Sequence, residues 1–141
     1  MGAERILVVD DEDHVSKLLM ALLEYRGYEN VQIACNGHEG LAKYKENRPN
    51  LVLMDLEMPV MNGYDSSREI KRYDPTANIV LITANPQSPF AQRIIREGYA
   101  SQVLPKPFSF EELLETIKQS LDPPSPPSLD PKSTVVSKGV L

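Results

Sequence analysis

The 141-residue chain is long enough for one domain that buries about two-thirds of its unfolded surface. Its 15 basic and 20 acidic residues leave a net charge of -5, which argues against a nucleic-acid surface, and no apolar run approaches the roughly 20 residues of a membrane span. One cysteine, Cys35, excludes an internal disulfide and a cysteine-based zinc site.

The start, "MGAERILVVDD", carries neither a secretory signal core nor, with Ile6 in sixth place, a myristoylation pattern, so a cytoplasmic protein is expected. "ILVV" (6–9) is the first of five short apolar runs and ends in Asp10-Asp11. Val15, Leu18, Leu19 and Leu22 then recur at helical spacing, with Gly27 as a stop signal. After "VQIA" (31–34), Leu41 and Tyr44 mark a second helix that ends before Pro49. "LVLM" (51–54) runs into Asp55, and Gly63 of "MNG" reads as a turn residue needing positive φ. A third helix is expected over 64–73, stopping before Pro75. "IVLI" (79–82) ends in Thr83-Ala84, and a helix around 90–97 follows, closed by Gly98. "QVL" (102–104) leads into Pro105-Lys106-Pro107. Ser109 and Glu112 form a capping box that opens a last helix, with Leu113, Leu114, Ile117 and Leu121 on one face. Residues 122–141 hold five of the twelve prolines and few apolar residues, so a flexible Pro/Ser-rich tail is expected there.

Continuous Val, Ile and Leu runs are the pattern of parallel strands covered on both faces, and strand–helix alternation gives an α/β sheet sandwiched by helices. Ligands of such sheets bind beyond the carboxyl ends of the strands. Asp10, Asp11, Asp55, Thr83 and Lys106 all stand at those ends. At about 4 Å and an effective dielectric near 20, each carboxylate pair costs roughly 4 kcal/mol. Mg²⁺ relieves this, since it takes oxygen ligands and keeps room for a phosphate. A lysine and a hydroxyl opposite the metal suit phosphoryl oxygens, and an aspartate can itself attack phosphorus. Asp55, alone in a turn, is the better nucleophile, and Asp10 and Asp11 are the better metal ligands. Blander readings stand beside these. Asp10-Asp11 fits a solvated strand end, Thr83 a β-branched strand residue, Lys106 and Glu57 surface charges. His14 and His38 read as solvated, which makes the phosphoryl donor another chain, and Cys35 as a small core residue.

"ILVVDDE", "LVLMDLEMPVMNGYD", "LITA" and "LPKPF", in this order, resemble the receiver domain of two-component response regulators over about residues 4–121. The resemblance implies a flavodoxin-like, doubly wound five-stranded parallel sheet of order 2-1-3-4-5 with five helices, a receiver domain at 1–121 and the tail at 122–141. It implies a regulatory switch rather than an enzyme, phosphorylated on Asp55 by a histidine kinase or phosphotransfer protein with Mg²⁺. The metal would be held by Asp10, Asp11, Asp55 and the backbone carbonyl of Glu57. Thr83 would be the switch hydroxyl with Ala84 beside it, and Lys106 the phosphoryl clamp, before a cis peptide at Lys106-Pro107. A homodimer through the fourth helix, fifth strand and fifth helix is implied as well, along with an output protein that the residues do not name. Two positions depart from the pattern: Val103 stands where an aromatic is usual, and Glu57 places an acid two residues past Asp55. A scaffold that works without phosphorylation remains an alternative, as does a phosphatase of the haloacid dehalogenase class. The latter class takes its nucleophile from a D-x-D motif after the first strand.

Overall fold

The computed structural model describes residues 3–122; of the tail expected at 122–141, all but Asp122 lies outside them. Five strands, β1 (Arg5–Val9), β2 (Asn30–Ala34), β3 (Leu51–Asp55), β4 (Ile79–Thr83) and β5 (Gln102–Pro105), form one parallel sheet in the order β2-β1-β3-β4-β5. They alternate with α1 (Asp13–Tyr25), α2 (Gly37–Asn47), α3 (Gly63–Tyr73), α4 (Pro89–Arg96) and α5 (Phe110–Leu121).

Strand side chains alternate between two core layers, as a period of two requires. Leu7, Val9, Val52, Met54, Ile79 and Leu81 pack with Tyr44, Ile70 and Ile94 of α2, α3 and α4. Ile6, Val8, Leu51, Leu53, Val80 and Ile82 pack with Leu19 and Leu23 of α1 and Leu113 and Ile117 of α5. The register levels the carboxyl ends: Val9 lies beside Ala34 and Met54, Asp55 beside Ile82, and Thr83 beside Pro105. Every polar strand end therefore opens onto one edge of the sheet. Among the described residues no helix is long and apolar enough to cross a membrane.

Local signals account for most boundaries. Asn36, Asn62, Ser88 and Ser109 each cap the helix that follows with a side-chain oxygen, and the capping box of Ser109 and Glu112 forms in both directions. Gly27 stops α1 with φ 97°. Three expectations need correction. Leu18 is 59% exposed, because the buried stripe of α1 runs through Ser16, Leu19 and Leu23 and leaves Leu18 on the outer side. Cys35 is exposed, since it stands past the end of β2 where the chain leaves the sheet. Gly63 has no positive φ; it is the first residue of α3, and the left-handed residue of that loop is Val60, at φ 70°. There Met61 N–H donates to the Pro59 carbonyl at 2.8 Å, a tight γ-turn that leaves Val60 88% exposed. Gly63 is needed instead for close approach: a Cβ would overlap the Asp55 carbonyl oxygen and lie 2.8 Å from Leu56 Cα.

Candidate functional site

Asp10 directly follows β1, with its N–H bonded to the Ala34 carbonyl at 3.0 Å and its carboxylate accepting from Glu12 N–H at 2.9 Å. Asp55 is the last residue of β3 rather than a turn residue, so the sheet itself fixes it. Both are 4% exposed, whereas Asp11 is open to solvent. One carboxylate oxygen from each of the three lies within 4.8 Å of the others. The expected convergence of the acids is therefore present.

Lys106 reaches the same place from the far side of β4. Its N–H donates to the Thr83 carbonyl at 2.8 Å and the bond to Pro107 is cis. Its Nζ stands 3.0 Å from Asp55 Oδ1. Burial pushes the Asp55 carboxyl up to about 6. The charges of Asp10 and Glu57 push the same way, and the Lys106 hydrogen bond and charge oppose them. Burial likewise raises Asp10, partly offset by Glu12 N–H and Lys106. For Lys106 burial acts downward, but its bond to Asp55 and the charges of Asp55, Asp10 and Glu12 outweigh it and raise the ammonium. Three carboxylates against one ammonium leave an anionic pocket whose donors are all oxygen. That set fits a hard divalent cation such as Mg²⁺.

Thr83 is fully buried at the end of β4, and its hydroxyl donates to Glu57 Oε2 at 2.8 Å while accepting Asn85 N–H at 3.0 Å. Ala84, next along, is exposed. Glu57 opens the loop between β3 and α3, which is pinched shut where Gly63 N–H donates to the Leu56 carbonyl at 2.9 Å. The Glu57–Thr83 bond was not foreseen from sequence. The available signal was an acid two residues past one strand end, next to a strand that ends in a hydroxyl.

Val103 is half-buried and packs against the core layer beneath α4, as does Tyr99. Tyr64 of α3 meets Tyr99 at 5.7 Å and Phe90 at 5.6 Å between ring centres. Its hydroxyl donates to Glu97 at 2.6 Å and accepts from Arg93 at 2.8 Å, with the Arg93 guanidinium 4.7 Å from the ring centre. This clamp of α3 on α4 was also unforeseen. His14 and His38 are exposed, as expected.

Comparison with known proteins gives a consistent result. Residues 6–118 match the response regulator receiver domain. The chain is 38% identical over 120 residues to the chemotaxis protein CheY of Bacillus subtilis, covering 85% of this chain and 99% of that one. It is 36% identical over 116 residues to CheY of Thermotoga maritima, covering 82% and 96%. Among solved structures, a CheY-like receiver domain protein from Methanospirillum hungatei matches with a TM-score of 0.78 at 32% identity over 84% of this chain and 94% of its own. The response regulator TrrA from Thermotoga maritima, solved in complex with Mg²⁺ and BeF, matches with a TM-score of 0.73 at 36% identity, covering 84% and 99%. A flavodoxin-like sheet, a three-acid cluster and these matches lead to one conclusion: the chain belongs to the response regulator receiver domain family, CheY-like phosphoacceptor switches that regulate rather than carry out metabolic catalysis.

Proposed function

We propose that Asp55 is the residue that accepts the phosphoryl group. The observation that carries this reading is the meeting of Asp10, Asp11 and Asp55 within 4.8 Å, with the Lys106 ammonium bonded to Asp55. Asp10, Asp11, Asp55 and the backbone carbonyl of Glu57 would hold Mg²⁺, which when bound neutralises charge on the transferring phosphoryl group. The donor is a histidine kinase or phosphotransfer protein. An Asp55 carboxylate oxygen bonds to phosphorus as the P–N bond of a phosphohistidine breaks. The bonding pair leaves with the imidazole, which takes a proton from solvent. Lys106 follows the charge from the carboxylate to a phosphoryl oxygen, and the Thr83 hydroxyl and the Ala84 backbone N–H supply hydrogen bonds to the others.

The setting is cytoplasmic, the output is an interaction with a protein partner, and a homodimer would form through α4, β5 and α5. Val103, stiff at χ1 and smaller than the aromatic usual in the family, would couple the phosphoryl group to that face weakly.

A small acyl-phosphate donor tests the site. With Mg²⁺ the protein should take up one phosphoryl group, and a chelator should abolish uptake. The double variant Asp10→Ala with Asp11→Ala should lose both uptake and the metal titration. An unchanged metal titration in that variant would place the metal elsewhere.

A further inference from the structure

A hydroxyl has one proton to donate. In this structure Thr83 commits that proton to Glu57 Oε2 at 2.8 Å, while its oxygen accepts from Asn85 N–H at 3.0 Å. Thr83 is fully buried, whereas Glu57 is exposed on the loop after β3. A carboxylate makes a stronger acceptor than a neutral group, and water can replace the bond for exposed Glu57 more readily than for buried Thr83. The register of Asp55 beside Ile82 is what brings the loop after β3 alongside the end of β4.

We infer that Glu57 is a positioning residue that latches the Thr83 hydroxyl in the unphosphorylated protein, and that a phosphoryl group on Asp55 must break this latch before Thr83 can donate to it. The inference rests on the reading of Asp55 and Thr83 given above. Two anions then compete for a single proton. Whatever the phosphoryl group gains from Thr83 is reduced by what Glu57 gives up, because a ligand shifts an equilibrium only through its differential contacts. Water takes over the freed, exposed carboxylate, so the loss is the net value of one charge-assisted bond and not its gross strength. That corresponds to about tenfold in affinity. Release also moves an acid within a groove lined by Met58, Pro59 and Phe90, so latch opening alters the surface beside α4.

The test is a double-mutant cycle read by the affinity for beryllofluoride with Mg²⁺, a phosphoryl mimic. Glu57→Ala should bind it about tenfold more tightly than wild type. Removing the acid also removes a repelling charge, so the cycle repeats the measurement in Thr83→Val, where the gain should fall below about threefold. Equal affinity in wild type and Glu57→Ala overturns the latch. So does a gain that survives undiminished in Thr83→Val, which would make Glu57 a repelling charge only. If wild type fails to bind beryllofluoride at all, the reading of Asp55 falls and the latch with it. A second measurement needs neither metal nor Thr83→Val: the Asn85 amide resonance should move in Glu57→Ala, because the hydroxyl it donates to has lost its acceptor. An unmoved Asn85 amide overturns the latch as well.

Discussion

At Asp55 the backbone is as crowded as the carboxylate is buried. A Cβ on Gly63 would overlap the Asp55 carbonyl oxygen, and the neighbour it meets next is Leu56 Cα, so backbone and not a pliable side chain must yield. Gly63→Ala is therefore expected to cost about 1–3 kcal/mol, the range for overpacking a filled site. The urea midpoint at unchanged slope reads this directly, and an unchanged midpoint would mean that the loop after β3 gives way freely. Sequence reasoning placed Gly63 in a positive-φ turn because Asn-Gly serves turns as readily as it serves a helix start with an Asn cap. The acids, Thr83 and Lys106 were legible for a simpler reason: each stands at the end of an apolar run, and a parallel sheet gathers such ends. The Glu57 side chain was not, since the direction of an acid on an exposed loop follows no period.

Among the elements, α2, α3 and the loop that leads into β4 are tied together away from the acids by Asp74, the C-cap of α3. Its carboxylate accepts from Thr76 N–H and Oγ1, from Tyr44 Oη at 2.7 Å and from Arg48 at 2.8 Å. These bonds, Thr76 first and then Tyr44, hold the carboxyl well below the usual carboxylate range although burial acts the other way. A depressed acid stabilises the fold fully above its unfolded value of about 4, and that contribution fades as pH falls below it toward the folded value. The stability gap between wild type and Asp74→Asn should thus be constant from about pH 7 to about pH 5 and shrink below about pH 4. A gap independent of pH would assign the role of Asp74 to packing. Helix and strand types were readable from periodicity and caps. The face of α1 was misread at Leu18, because four leucines and a valine in α1 leave several stripes equally apolar. The Tyr64–Arg93–Glu97 clamp joins α3 to α4 across a distance no local pattern records.

For the whole molecule, the alternation of five apolar runs with helices made a parallel sheet legible, and right-handed crossovers leave few topologies for it; the order β2-β1-β3-β4-β5 itself was anticipated through the resemblance to receiver domains. Leu121 ends α5 packed against the layer formed with α1. A chain cut after Asp122 is accordingly expected to melt within about 2 °C of the full chain, less than the shift from 1 kcal/mol in a domain of this size. A larger drop would show that residues 123–141 contribute to the fold. What unites the scales is the claim that one carboxylate, buried at the end of the central strand, receives the phosphoryl group. Borohydride converts an aspartyl phosphate to homoserine, so reduction after incubation with a phosphodonor and Mg²⁺, followed by peptide mass spectrometry, reads out the modified position. The expected result is homoserine at position 55 and at no other aspartate; homoserine at Asp10 or Asp11, or none in protein that has taken up phosphate, would contradict it.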